Sequence, residues 1–254
     1  MEKLLGFIRT NKVVFGFLNL LLYLFYGILI GLAVLPSLAL WQFLFSHPLM
    51  GPGFVTLLIR AVGVGVGVYL FFLWGLLIFG LSERLLSIGF RPGRYGTDSP
   101  VFIRWLVYSG VHTISLALIL PYVRGSSFVG LYYKLLGCKL GQDVFINTTG
   151  LHDAYLLEVG DNVIIGGATD ITCHIFEDGE LILDRIKIGS DVLIGANCYI
   201  MPGTEIASHV SIGANSLLRK KTVVEERSVY MPLPALPVRQ VASLLKNARN
   251  RPKK

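Results

Sequence analysis

The stretch RIKIGSDVLIGANCYIMPGTEIASHVSIGANSLL, residues 185–218, places an aliphatic side chain at every sixth position. Ile188, Ile194, Ile200, Ile206, Ile212 and Leu218 share one register, and glycine directly follows Ile188, Ile194 and Ile212. A helix repeats every 3.6 residues and a strand every two, so neither explains a period of six. A triangular coil does. Each face is then a very short strand and each corner a turn, and glycine and asparagine suit turns that require positive φ. Leu140-Gly141, Val159-Gly160, Ile165-Gly166 and Ile171 carry the register upstream. Four places after the aliphatic residue stand Val163, Thr169, Val192, Cys198, Thr204, Val210 and Ser216, small or β-branched side chains that fit a narrow interior. Hexapeptide periodicity of this kind marks a parallel β-helix, and with three hexads per coil residues 140–224 supply roughly four to five coils. Two stretches interrupt it. TTGLHDAYLLE (148–158) breaks the register, and IFEDGELILDR (175–185) is an excursion that begins directly after His174.

Before residue 124 the chain has a different character. The whole sequence is 53% hydrophobic and only 15% charged, against about a quarter charged in soluble domains. No charged residue stands between Lys12 and Arg60, and a second uncharged run covers Ala61–Ser82. About 20 apolar residues suffice to cross a bilayer, and both runs exceed the roughly 7–15 residues of a signal-peptide core. The expected spans are Val14–Trp41, with Pro36 as a kink or end, and Ala61–Leu81, with Arg60 extending its head to the interface. Lys3, Arg9 and Lys12 precede the first span, and Arg84, Arg91 and Arg94 follow the second. The connector 46–60 holds only Arg60. Positive charge stays inside, so both ends of this hairpin are expected on the cytoplasmic side of the inner membrane. A third run, WLVYSGVHTISLALILPYV (105–123), contains Ser109, Gly110, His112, Thr113, Ser115 and Pro121. It is read as a re-entrant or in-plane helix, because a full crossing would put everything after Arg124 outside. The organisation expected is a two-span hairpin (1–100), a helical connector (101–135), a β-helix domain (136–235) and a basic tail (236–254).

The three cysteines, Cys138, Cys173 and Cys198, give no disulfide framework, and Cys198 falls at an interior position of the repeat. The net charge of +7 is dispersed apart from RKK (219–221) and KNARNRPKK (246–254). The tail suits anionic lipid. Nucleic acid is a poor partner for a chain with no recognition motif and a membrane hairpin.

Residues 136–235 resemble the left-handed β-helix, hexapeptide-repeat acyltransferases, the superfamily of galactoside, maltose and xenobiotic acetyltransferases. The segments PYVRGSSFVGLYYKLLGCKLG, TCHIFEDGELIL, IGSDVLIGANCYIMPGTEI and VYMPLPALPV are most similar, in that order, to the membrane-embedded C-terminal region of ε-poly-lysine synthetase-like proteins. The resemblance implies acetyl-CoA or another acyl-CoA as cosubstrate, no metal, and a homotrimer with each site shared between neighbours. It makes His174, just before the excursion, the general base. Histidine also suits that task on its own chemistry, since an acceptor hydroxyl or amine must lose a proton as it attacks a thioester near neutral pH. Asp170, Glu177, Asp178 and Glu180 are near in sequence, and Asp170 is the candidate to orient the ring. The resemblance puts the thioester carbonyl near IGAN (194–197), with the Ala196 N–H as oxyanion donor. It puts the coenzyme along Gly195, Ala196, Gly213 and Ala214, with Arg219 and Lys220 at its phosphate. His152 and Asp153, in the first irregular stretch, are candidate acceptor contacts. His47 and His112 are expected at the membrane interface, and His209 at an exposed corner. Pro232 stands where the family commonly has glycine, so the outline of the coenzyme tunnel is expected to differ.

Three readings compete. A γ-class carbonic anhydrase would use the same coil but needs zinc-binding histidines with a close pair in the later coils, which this chain does not have. A solenoid can also serve as a non-catalytic membrane-tethered scaffold, though a loop inserted directly after a histidine argues against stopping there. A membrane-anchored acyltransferase acting on a lipidic or lipid-linked alcohol or amine explains the histidine before the excursion and the anchor together.

Overall fold

The computed structural model describes residues 12–47 and 53–232, with side chains from Gly16 onward. Lys3, Arg9, the PALPV segment and the basic tail lie outside the described residues. Helix α1 spans Lys12–Ser46 and α2 spans Phe54–Ser87. They are followed by strand β1 (Gly93–Gly96), helix α3 (Pro100–Leu118), a single turn α4 (Leu120–Val123) and α5 (Ser127–Leu135). Three of these helices, Gly16–Ser46, Phe54–Ser87 and Pro100–Leu118, are long and apolar enough to cross a membrane by length and composition.

The first two helices are longer than the spans read from the sequence. Pro36 does not end α1, which continues ten residues further to Ser46. The contact between α1 and α2 is set by two glycines one turn apart. A Cβ on Gly63 would lie 2.0 Å from Leu44 Cδ1, and one on Gly67 would lie 2.1 Å from Trp41 Nε1. Small residues at this spacing let helices approach closely where no hydrophobic effect drives them together. Ser37 donates to the Gly67 carbonyl at 2.6 Å and Trp41 to that of Gly63 at 3.3 Å. The opposite faces stay open: Phe17, Leu20, Tyr23, Leu24, Phe54 and Leu57 are all exposed.

After α5 the chain winds into a coil with three parallel faces. Face B stacks β2 (Lys139–Leu140), β5 (Leu157–Val159), β10 (Ile186–Ile188), β13 (Glu205–Ile206) and β16 (Val223–Val224). Face C stacks β3 (Phe145–Ile146), β6 (Ile164–Ile165), β11 (Leu193–Ile194), β14 (Ser211–Ile212) and β17 (Val229–Tyr230). Face D stacks β4 (Leu151–His152), β7 (Asp170–Thr172), β12 (Tyr199–Ile200) and β15 (Leu217–Leu218). The registers pair the aliphatic residues with one another, Ile188 with Ile206, Ile194 with Ile212 and Ile200 with Leu218. Their side chains are buried, as are Val163, Thr169, Val192, Cys198, Thr204, Val210 and Ser216 beside them. The three cysteines are free and buried.

The glycines after the aliphatic residues have a different cause from the one the sequence suggests. None of Gly160, Gly166, Gly189, Gly195 and Gly213 is among the residues with positive φ. They lie directly on the next coil: a Cβ on Gly195 would sit 2.4 Å from the Ala214 nitrogen, and one on Gly166 2.6 Å from that of Ala196. The left-handed residues come three places after the aliphatic position, at Asn162, Ala168, Asp191, Asn197, His209, Asn215, Lys221 and Arg227. Asn and Asp tolerate that conformation through local hydrogen bonding. Close stacking demands the glycine; the turn demands the residue two places on.

Both interruptions stay attached to the coil. The first keeps Leu151 paired with Ile171 on face D and absorbs its extra length in a 3₁₀ turn, Ala154–Leu156, that follows left-handed Asp153. The second is an antiparallel hairpin of β8 (His174–Glu177) and β9 (Glu180–Leu183), closed by Asp178-Gly179 with φ of 53° and 76°. Two central residues at positive φ match the right-handed twist of the flanking strands. Strand β1, arriving from α2, pairs antiparallel with β9 and covers the hairpin's edge.

Candidate functional site

His174 is the first residue of the hairpin, where face D ends. Its Nδ1 lies 2.5 Å from Asp153 Oδ2, with the Thr172 hydroxyl 3.1 Å away. Asp153 is 1% exposed. Its other oxygen accepts from Trp105 Nε1 at 2.8 Å and from the Tyr155 hydroxyl at 3.0 Å. Burial alone would raise this carboxyl. The hydrogen bond from His174, the His174 charge and the bonds from Trp105 and Tyr155 outweigh it and hold the group below the usual carboxylate range. The same surroundings push the Tyr155 phenol up, burial first and the Asp153 charge next.

The carboxylate that orients His174 is therefore Asp153, and two sequence expectations change. Asp170 lies 3.8 Å from His152 Nε2, and the side chains bonded to the His174 ring are Asp153 and Thr172. Asp153 has both oxygens committed inside the protein and does not offer itself to an acceptor. Asp153 holds a left-handed φ of 54°, a corner conformation that Asp tolerates at small cost.

Helix α3 roofs the site. Trp105 meets the His174 ring edge-on, with centroids 4.8 Å apart, and packs against Phe176 of the hairpin. One turn on, Tyr108 packs on Tyr155. A further turn on is His112, whose ring centroid is 5.4 Å from that of His152. His112 is enclosed by protein: it is 3% exposed and bonded through Nδ1 to Glu83 Oε2 at 2.8 Å. Buried Glu83 on α2 was not singled out from the sequence. Its signal was a carboxylate immediately following the uncharged run 61–82.

The remaining candidates divide between two edges of the coil. Gly195, Ala196, Gly213 and Ala214 stack where face C turns into face D, with the Asn215 N–H bonded to the Ala196 carbonyl at 2.9 Å. Arg219 and Lys220 lie at the opposite border of face D, the edge that carries His174. Lys220 bonds both Glu177 oxygens, at 2.5 and 2.7 Å, and so ties the hairpin to the coil. His209 occupies a left-handed corner 3.5 Å from Asp191. Pro232 and Met231 cross over Gly213, where an added Cβ would lie 3.0 Å from Pro232 Cδ. Among the described residues, no group of three His, Cys, Asp or Glu side chains is arranged to hold a metal ion.

His152 gives a stability prediction. Burial and the neighbouring His112 lower its pKa to about 4, Asp153 opposes them, and His174 adds to the fall. The folded protein thus binds this proton less readily than the unfolded chain. Its contribution is full above about pH 6.5 and is lost as pH falls from there toward 4. The thermal midpoint should decline over that window by the equivalent of up to about 3 kcal/mol, and His152→Gln should flatten the decline.

A three-faced parallel coil of hexapeptides, with a hairpin and a histidine–carboxylate pair at its rim, defines a class of transferase solenoid. The family profile described as bacterial transferase hexapeptide (six repeats) matches residues 185–220. The chain is 30% identical over 126 residues to YvoF of Bacillus subtilis (strain 168), which carries a provisional acetyltransferase name, covering 46% of this chain and 73% of that protein. It is 26% identical over 211 residues to the delta-poly-L-ornithine synthetase of Acinetobacter baumannii (strain AB307-0294), covering 82% of this chain but 16% of that protein. Among solved structures, a maltose O-acetyltransferase from Clostridium difficile 630 aligns at 19% identity with a TM-score of 0.42, covering 60% of this chain and 93% of that one. The chain belongs to the hexapeptide-repeat transferase family.

Proposed function

We propose that this chain is a membrane-anchored acyltransferase that moves an acetyl group from acetyl-CoA to a lipidic or lipid-linked hydroxyl or amine, with His174 as general base. The observation that carries the reading is the pair His174–Asp153 beneath α3. With Nδ1 held by a buried carboxylate, the ring offers Nε2 to the acceptor. The acceptor's O–H or N–H proton passes to Nε2 as the new bond to the acetyl carbon forms. The C–S bond then breaks and the proton passes to the coenzyme sulfur. Asp153 positions the ring and stabilises the imidazolium.

The Ala196 N–H is the proposed oxyanion donor, and Gly195, Gly213, Ala214 and Arg219 line the proposed coenzyme path. Lys220 reaches the coenzyme phosphate only by leaving Glu177. Because Ala196 and His174 occupy opposite borders of face D, a site that uses both draws one of them from a neighbouring chain. That favours a homotrimer, the usual closed arrangement being cyclic. Face C supports it with an exposed apolar column of Phe145, Ile164, Leu193 and Val229. Face B instead carries the ion pairs Lys139–Glu158 and Lys187–Glu205.

The membrane assignment rests on the open apolar faces of α1 and α2, which nothing in the chain covers among the described residues. The solenoid is assigned to the cytoplasmic side, where acyl-CoA is found, with α3 lying on the coil in or near the plane of the bilayer. Trp105 of α3 packs on His174, so the acceptor's side of the site is assigned to the face that α3 covers, toward the membrane, and His152 is a proposed acceptor contact. The test is radiolabelled acetyl-CoA with the purified full chain in nanodiscs, offered either a membrane lipid extract or water-soluble sugars. Label is expected in the lipid fraction. Equal labelling of a soluble sugar would remove the lipidic acceptor, and an intact trimer that turns over no thioester would leave a scaffold.

A further inference from the structure

Glu83 is completely buried on an apolar helix. Its carboxylate accepts from three donors on two other helices: His112 Nδ1 at 2.8 Å, Ser115 Oγ at 2.7 Å and the Tyr132 hydroxyl at 2.6 Å. Removing a carboxylate from water costs several kcal/mol even after relaxation, and apolar residues of similar volume fasten helices as well or better. Fastening is therefore a poor account of this residue. Ionisable side chains among helices of this kind mark ligand sites or proton paths.

His112 shows which way the path runs. With Nδ1 committed to Glu83, its other nitrogen is Nε2, which is buried without a well-formed hydrogen bond and has the Leu151 carbonyl as its nearest backbone acceptor. The neighbouring imidazole is His152, with centroids 5.4 Å apart and planes at 79°. His152 stands in turn 6.2 Å from His174, with planes at 85°. Each outer ring carries a carboxylate on Nδ1, Glu83 on His112 and Asp153 on His174. Two dyads of the same construction flank one imidazole.

We propose that Glu83 and His112 form a second carboxylate–imidazole dyad that exchanges a proton with His174 through His152. This rests on His174 being the base of the acyl-transfer site. As the acceptor's O–H or N–H bond breaks, an N–H bond forms on His174. His152 takes that proton on one nitrogen and gives its own from the other to His112 Nε2, where Glu83 stabilises the imidazolium. The reverse passage delivers a proton to the coenzyme sulfur as the C–S bond breaks, so the balance closes without a further acid. Ring edges at these separations are joined by a small rotation or by one bridging water. The groups facing His152 are His112 from α3, His174 from β8, Asp170 from β7 and the adjacent Asp153. Burial, then His112, depress its pKa to about 4, so at neutral pH it carries one N–H and one lone pair, the form a relay uses.

The test is side-chain NMR of the full chain with labelled histidine in detergent micelles, with His152 as the reporter. In the native protein its midpoint is expected near 4. Glu83→Gln keeps the shape and the bonds from Ser115 and Tyr132, but removes the charge that supports a proton on His112. It should raise the His152 midpoint by about one unit, as should His112→Gln and His174→Gln. Ser115→Ala takes away a donor without changing charge and should leave the midpoint in place. A His152 midpoint that Glu83→Gln and His112→Gln both leave unmoved overturns the proposal. The readout is titration and needs no turnover. A failure of the acyl-transfer reading would appear separately, as undiminished acetyl transfer by His174→Ala.

Discussion

Asp153→Asn is expected to lower acetyl transfer by about 10²–10⁴ while leaving acetyl-CoA affinity unchanged. The reason is the direction of one hydrogen bond. In the native site Oδ1 accepts from Trp105 and Tyr155, which leaves Oδ2 to accept from His174 Nδ1. Asparagine that keeps the first two bonds must turn its NH₂ toward His174. The amide then donates into Nδ1 and forces the ring proton onto Nε2, where the base needs its lone pair. The variant is nearly isosteric, so the coil and the hairpin should survive, as circular dichroism and the oligomeric state will report. His174→Ala should lose at least as much, and the double variant little more than either alone, because the two residues act as a unit. Trp105→Phe removes one of two donors to Oδ1 and should cost far less. If Asp153→Asn turns over at the native rate, the histidine–carboxylate pair is not the base.

The period of six was enough to read the coil, because every sixth side chain has to fill the interior whatever the corners do. The direction of the argument at the corners was not legible. Glycine suggests positive φ in any single sequence, and only the stacked coils reveal that Gly195 is there for the backbone of Ala214 while Asn197 takes the left-handed turn. The hairpin was half legible. His174 and the excursion were recognised, and Glu-Asp-Gly-Glu at 177–180 is a two-residue turn signal. Its pairing with β1 joins residues 84 to 90 positions apart across the helices, Gly96 with Glu180 and Gly93 with Leu183, and no local pattern encodes that. The same holds for the site. Asp170 is four residues from His174 and Asp153 twenty-one, so proximity in sequence favoured the wrong carboxylate; the coil returns Asp153 to the same edge one level away. Glu83 and His112 meet only because α2 and α3 pack together, and an apolar period says nothing about which polar residue faces which.

Gly195→Val should be the most destabilising single change in the solenoid. The added Cβ would lie 2.4 Å from the Ala214 nitrogen and 2.7 Å from its Cα. These are backbone atoms held by the bonds from the Gly195 N–H to Ile212 and from the Gly213 N–H to Tyr230, so no rotamer relieves the collision. Ordinary overpacking costs about 1–3 kcal/mol because side chains shift. Here a whole coil must lift away from the next, and a loss above roughly 4 kcal/mol is expected, seen as a fall of the thermal midpoint by about 10 °C or more. Asn197→Gly, two residues later, should be close to neutral, since glycine adopts φ of 57° freely. The pair of variants separates the two explanations for glycine in this repeat. If the corner conformation governed, Gly195→Val and Asn197→Val would cost alike. If stacking governs, Gly195→Val unfolds the coil, and Asn197→Val loses only the roughly 1–2 kcal/mol of a side chain held in the left-handed region.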